Sequence, residues 1–387
     1  MDEILELSID MKDYIVSSGA ETLSMCMQCG LCTNLCPWRL VPGEVSETFN
    51  IRLMQRQCQL GLEAFDGEEM LFACCACGMC QDNCPREVKI IENVRALRNT
   101  TVGAGFVPKS LKPVVSSVRD KGNPWLGDQD KRADWQEGLN IPAFSEDTEY
   151  LLYVCCNSCY LPRAVKIAKS VVKVLQKADV SFGVLTGEEK CCGESIRKLG
   201  DEVLFQSLAQ SNINLFNGKG VKKIITISPH CMETFKKEYP ELGGDYEVIH
   251  YTEILADLLK EGKLSFPGEM AKKVIYHDPC TLGRHNDVYD APREVLQAVS
   301  GLELLEFERN KARSLCCAGG GGRIWAEVPM GERFAELRID DAVSNDAEIF
   351  VTTCPYCISV FDDCVASMEK GDEIKVMELA ELLSTVL

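Results

Sequence analysis

At 387 residues, 46% of them hydrophobic, the chain is long enough for two or three domains with a sizeable core, and its formal net charge of −18 argues against nucleic acid and anionic membrane surfaces as partners. No apolar run approaches the length of a membrane span, and the opening Met1-Asp2-Glu3 lacks a signal-peptide pattern, so the expected location is cytoplasmic, peripheral to a membrane only through a partner. In a large chain of this kind, 22 cysteines point to metal rather than to disulfides; buried structural thiols account for Cys58 and Cys364 but not for four tight clusters.

Ile4, Leu5, Leu7, Met11 and Ile15 recur at loosely helical spacing and predict a short amphipathic helix at the start of the chain. Cys26, Cys29, Cys32 and Cys36-Pro37 then follow the spacing C-x2-C-x2-C-x3-C-P of bacterial ferredoxins. The run returns as Cys74, Cys77, Cys80 and Cys84-Pro85, with Cys75 as a bystander. In two-cluster ferredoxins the cysteine before proline ligates the other cluster. This assigns Cys26, Cys29, Cys32 and Cys84 to one [4Fe-4S] cubane and Cys74, Cys77, Cys80 and Cys36 to a second. Zinc fits less well, since zinc knuckles use paired cysteines set apart. Between the runs, Ser46 to Leu62 reads as a helix ended by Gly61. A further helix, Val88 to Arg98, carries Lys89, Arg95 and Arg98 on what reads as a solvated face. No strand is evident in this block, which resembles the α-helical ferredoxin type of respiratory iron–sulfur subunits.

Residues 116–148 are rich in charge, Gly and Pro and predict an extended linker, with Trp125 and Trp135 pinning it to a domain. The remainder is duplicated. Cys156 matches Cys280, Cys191-Cys192-Gly193 matches Cys316-Cys317-Ala318, and Ser228-Pro-His-Cys231 matches Cys354-Pro-Tyr-Cys357, at a nearly constant offset. In the first repeat 151–154, 180–185 and 221–227 read as strands, with helices over 164–176 and 202–216. In the second, 274–276 and 348–351 are strands, with helices over 292–299 and 332–343. Such alternation predicts parallel sheets covered by helices, with the cysteines just beyond strand ends, where α/β sheets bind ligands. The expected architecture is thus a multi-domain α+β chain: an α-helical ferredoxin domain over 1–115, a linker over 116–148, and two duplicated α/β lobes over 149–268 and 269–387.

Cys280, Cys316, Cys317, Cys354 and Cys357 gather five thiols, one more than a zinc ion or an ordinary [4Fe-4S] cluster requires. This pattern resembles the CCG-domain motif of the heterodisulfide reductase family, which implies that the five hold an unusual non-cubane [4Fe-4S] cluster. In the first repeat Ser228 stands where the second has Cys354. Cys156, Cys191, Cys192 and Cys231 remain, with Cys155 and Cys159 nearby, and three readings stay open: an iron–sulfur cluster with a substituted ligand, a four-thiolate zinc site, or a vacated site. His277, His230, Arg284 and His285 flank the cysteines as proton donors, pocket residues or loop-fixing groups. Gly319 to Gly322 forms either a floppy loop or a close backbone approach, and lacks the Lys-Ser/Thr of a phosphate loop.

Two ferredoxin runs followed by two such repeats resemble the catalytic iron–sulfur subunit of heterodisulfide reductase and its bacterial relatives. They also resemble the iron–sulfur subunits of glycolate oxidase and anaerobic glycerol-3-phosphate dehydrogenase. The first resemblance implies disulfide reduction at the second repeat; there the five cysteines are the expected catalytic residues, with His277, His230 or water as the expected proton source. The second implies a relay in a redox complex, wired to a flavoprotein, a membrane cytochrome or quinone-reactive subunit, or serving acyl-CoA or benzoyl-CoA reduction. The sequence holds no flavin fingerprint and no Cys-x-x-Cys-His haem motif, so either group would belong to a partner.

Overall fold

The computed structural model describes residues 9–61 and 68–387; Ile4, Leu5, Leu7 and Leu62 lie outside them. The chain forms two compact units. The first comprises residues 1–113, 195–204 and 318–334, and the second residues 114–194, 205–317 and 335–387. Two short segments from within the repeats thus belong to the first unit.

The first unit is helical among its described residues. Its longer helices are Ile9–Ser17, Ile51–Leu60 and Ile90–Gly103. The single helix expected over 46–62 is broken at Asn50. There the backbone turns extended and the side chain accepts from Leu53 N at 3.0 Å. Asparagine is among the strongest N-caps, so the chain starts a new helix, which Gly61 closes in the left-handed conformation. Ile51, Met54 and Cys58 form its buried face. Arg98 overturns the reading of its helix as a solvated face, for it is 1% exposed. Its guanidinium donates to the carbonyls of Leu71, Cys74, Lys198 and Gly321 at 2.8–3.1 Å. Gly320 and Gly321 come so close to this peptide that a Cβ on either would lie within 2.4 Å of the Cys75 or Cys74 carbonyl oxygen. The glycine run is therefore a close backbone approach, and its partner is the second ferredoxin run.

The second unit contains two four-stranded parallel sheets. Strands β1 (Tyr150–Tyr153), β2 (Phe182–Gly183), β3 (Lys223–Thr226) and β4 (Glu247–His250) run in the order β2-β1-β3-β4. Strands β5 (Lys273–Tyr276), β6 (Glu303–Glu306), β7 (Ile349–Thr352) and β8 (Lys375–Glu378) repeat it as β6-β5-β7-β8. The central strands are apolar runs because both of their faces are covered. Of the four edge strands, β4, β6 and β8 escaped the sequence reading and β2 was read too long. β2 keeps only two of the six residues expected, and β6 is glutamate-flanked and half-exposed. β4 and β8 showed only as matching tails.

The stretch expected to be an extended linker is not extended. It opens with the helix Lys112–Lys121, whose Val114, Val115 and Val118 are buried at helical spacing, and continues through short turns to a buried Trp135. Averaged composition hid that stripe. The two repeats are joined by Arg163, which pairs with Asp362 at 2.6 Å and with both carboxylate oxygens of Glu381 at 2.6 and 2.9 Å, and by the hydrogen bond from Tyr251 to Glu378.

Candidate metal centres

Both ferredoxin runs bend in the same way. Gln28 and Gly30 have positive φ, as do Ala76 and Gly78 at the equivalent places. Each left-handed pair turns the backbone so that three closely spaced cysteines face one hollow. One hollow is lined by Cys26, Cys29, Cys32, Cys80 and Cys84. The other is lined by Cys36, Cys74, Cys77 and Cys80, with Cys75 beside them. Cys29 is exposed, whereas Cys74, Cys75 and Cys80 are buried. Burial pushes the Cys80 thiol well up, and the neighbouring thiols of Cys74 and Cys77 push it further. Such an array can be thiolate throughout only when a cation shares the charge. Among the described residues, no three Cys, His, Asp or Glu side chains converge as they would on one metal ion. Thiols set around a hollow suit a polynuclear iron–sulfur cluster better than zinc.

In the second unit the cysteines stand beyond the C-terminal ends of parallel strands. Cys156 follows β1 at the start of the helix Cys156–Tyr160, and Cys280 follows β5. Cys191-Cys192 and Cys316-Cys317 occupy the loops after β2 and β6. Cys231 lies in the helix Pro229–Glu233 after β3, and Cys354 caps the helix Pro355–Ser367 after β7. Gly193 and Ala318, the residues after each cysteine pair, both have positive φ, +92° and +72°. The duplicated sequence therefore builds duplicated loops.

All five thiols of the second repeat are buried. Cys280 Sγ lies 4.0 Å from Cys316 Sγ, and Cys357 Sγ lies 3.3 Å from Cys317 Sγ. Hydrogen bonds from Cys316 and then Cys357 hold Cys317 down to about 6 despite its burial. Burial pushes Cys354 up, but hydrogen bonds from Cys357 and His230 outweigh it and hold the thiol well below its ordinary range. The hydrogen bond with Cys316, then burial, push the Cys280 thiol well above its ordinary range, and the nearby Arg284 and His285 offset this only in part. Arg284 donates to the Ala312 and Ser314 carbonyls, and His285 pairs with Glu233 at 2.7 Å.

The histidines separate by environment. His230, from the first repeat, lies against Cys354 of the second and is held by Glu194 at 2.8 Å. Its ring packs on Tyr356, at 4.7 Å between centroids, and Trp125 meets the same tyrosine edge-on. His277 is wholly buried between Phe350, Phe361 and Arg338. Burial, then Arg338 and Arg284, hold its pKa well below the usual histidine range.

In the first repeat the thiols of Cys156, Cys191, Cys192 and Cys231 form a chain of neighbours, each within hydrogen-bonding reach of the next. Ser228 is buried at the start of its helix with extended backbone, the place Cys354 takes in the second repeat. Cys155 lies within electrostatic reach of Cys354, so the two repeats' thiols approach each other. Cys58 and Cys364 are both completely buried. The residue that sequence reasoning missed is Arg132, a buried guanidinium bonded to Cys156. Nothing in its charged surroundings in the sequence distinguishes it.

Comparisons with known proteins agree on the cofactor class. A 4Fe-4S dicluster domain matches residues 22–88, and a cysteine-rich domain matches residues 150–236 and again 274–362. An EtfAB:quinone oxidoreductase of Syntrophomonas wolfei is 40% identical over 304 residues, covering 75% of this chain and 42% of that protein. The D subunit of a dihydromethanophenazine:CoB–CoM heterodisulfide reductase from Methanosarcina barkeri is 31% identical over 312 residues, covering 78% and 74%. The chain spans under half of several relatives it matches, including 41% of a probable iron–sulfur-binding oxidoreductase of Bacillus subtilis. The crystal structure of a hypothetical protein from Helicobacter pylori shares the fold, with a TM-score of 0.51 at 11% identity over 98% of this chain and 72% of that one.

Proposed function

Because this chain belongs to the family of iron–sulfur oxidoreductases that includes the heterodisulfide reductase D subunits, we propose that it is the electron-transfer part of a redox complex whose second repeat carries out disulfide–thiol chemistry. The observation that carries this reading is the group Cys280, Cys316, Cys317, Cys354 and Cys357. Its five buried thiols include two, Cys317 and Cys354, that the fold holds toward the thiolate form. Thiolates are the form that binds iron. Cys26, Cys29, Cys32 and Cys84 would hold one cubane, and Cys74, Cys77, Cys80 and Cys36 the other, as the lining of the two hollows supports. When bound, [4Fe-4S] clusters supply one-electron steps, and the five-cysteine site an iron open to a substrate sulfur. A disulfide needs two electrons and two protons to become two thiols. The chain's part is to bury that reaction away from water and to fix its ligands. His230, braced by Glu194, orients Cys354 through their hydrogen bond, and Arg284 and His285 place positive charge near Cys280.

A second reading is supported by the 40% match to an EtfAB:quinone oxidoreductase. In it the same sites only relay electrons between a flavoprotein and a quinone-reactive partner. The two readings part in one experiment. The protein is reduced with a viologen dye and offered a panel of disulfides, including the CoM–CoB heterodisulfide. Thiol release that disappears in Cys317→Ala, with the ferredoxin signals still reducible, establishes disulfide chemistry. If no disulfide is turned over while electrons pass to a purified flavoprotein or quinone partner, the relay reading stands instead.

A further inference from the structure

Arg132 lies in the segment read from sequence as a linker, and its guanidinium has no exposure to solvent. Nη1 lies 3.2 Å from Cys156 Sγ, Nε lies 2.9 Å from Glu189 Oε1, and Nη2 lies 3.1 Å from the Val154 carbonyl. Its plane sits 5.8 Å from the Tyr153 ring. Val154 and Cys156 belong to the loop after β1, and Glu189 to the loop that leads into Cys191. One side chain therefore ties together the two loops that present the first repeat's thiols.

Burying a guanidinium costs several kcal/mol unless its donors find strong acceptors. A neutral thiol is a weak acceptor, whereas a thiolate is a strong one for a charged donor. Cys159 also sits within electrostatic reach of the same guanidinium. Cys156 would become such a thiolate on binding iron, and Nη1 is already within hydrogen-bond distance of its sulfur.

We propose that Arg132 is a positioning residue that donates a hydrogen bond to the Cys156 thiolate of an iron–sulfur cluster held by Cys156, Cys191, Cys192 and Cys231, and thereby raises that cluster's reduction potential. The proposal rests on the reading of the first repeat as a cluster site. Reduction adds negative charge to a cluster and its sulfurs. A positive N–H aimed at a ligand sulfur stabilises that charge, and hydrogen bonds to sulfur are among the features that set cluster potentials. The first repeat, with Ser228 where the second has Cys354, thus has its own tuning group.

The test is an anaerobic redox titration of the full-length, cluster-loaded protein followed by EPR, with iron counted in each sample. Cys191→Ala identifies the signal of the first repeat. In Arg132→Gln that signal's equilibrium constant for reduction should fall at least tenfold, which is about 59 mV for one electron. Arg132→Lys, which keeps the charge, should recover part of the shift, and the other signals should stay in place. Arg132→Gln combined with Glu189→Gln removes both buried charges, and so carries the test if the single variant does not fold. A full iron count with an unshifted potential in these variants would overturn the role of Arg132 alone. Iron and spectra unchanged by Cys191→Ala would instead remove the cluster reading of the first repeat.

Discussion

Replacing Arg98 with Met keeps most of the side-chain volume and removes every donor. Five hydrogen bonds to four carbonyls are lost, those of Leu71, Cys74, Lys198 and Gly321. A buried carbonyl left without its donor costs about 1–3 kcal/mol. At the low end, four of them destabilise the first unit by about 4 kcal/mol. That is about 8 °C in apparent thermal midpoint, at about 2 °C per kcal/mol for a chain of a few hundred residues. Cys74 leads the second ferredoxin run, and its carbonyl accepts from Arg98 at 2.8 Å. The damage should therefore be local. Iron should leave the site lined by Cys36, Cys74, Cys77 and Cys80 sooner than the site around Cys26 and Cys29 on mild heating. Arg98→Lys, with three donors on one nitrogen, should recover about half of the stability. Differential scanning fluorimetry of the as-isolated protein measures the midpoint, and iron analysis with EPR measures the loss. A midpoint within about 2 °C of wild type would mean that other donors reach these carbonyls and that Arg98 is not their clamp.

Gly193 has φ +92°, and a Cβ there would meet the buried Phe205 ring at 2.7 Å. Gly193→Ala should cost about 2–4 kcal/mol in urea melts, from left-handed strain plus overpacking. Ala318 already takes φ +72° at the equivalent place, so Ala318→Gly should be neutral or stabilising by less than about 1 kcal/mol; equal effects of the two changes would refute the argument from positive φ. Burial, opposed by Tyr251, pushes the Glu378 carboxyl from 4.5 up to about 8. The folded protein then keeps a proton that the unfolded chain releases, so this stabilisation is complete below about 4.5 and is lost as pH rises through about 8. Between about pH 6 and 9 the wild type should lose about 2–3 kcal/mol more than Glu378→Gln, and parallel stability–pH curves for the two would show that Glu378 ionises normally.

Cofactor class and duplication are written locally in this chain. A ferredoxin run and a cysteine pair set their ligands by spacing within one loop, and the backbone conformations at Gln28 and Gly30, Ala76 and Gly78, Gly193 and Ala318 are likewise local. The central strands were legible because a strand covered on both faces must be apolar throughout. The edge strands were less so: β2 was read longer than it is, and β6 owes its existence to a neighbour's unpaired backbone rather than to its own pattern. The charged groups were least legible of all. Arg98 and Arg132 look like any surface arginines until the fold surrounds them with carbonyls and a thiol from distant parts of the chain. His230 and His277 both stand within three residues of a cysteine in sequence, yet one lies against Cys354 of the other repeat and the other among phenylalanines. Spacing along the chain fixes which thiols share a loop. Only the tertiary structure brings a charge or a ring from far away to those thiols, because its burial is tolerated only where the packed chain supplies the partner.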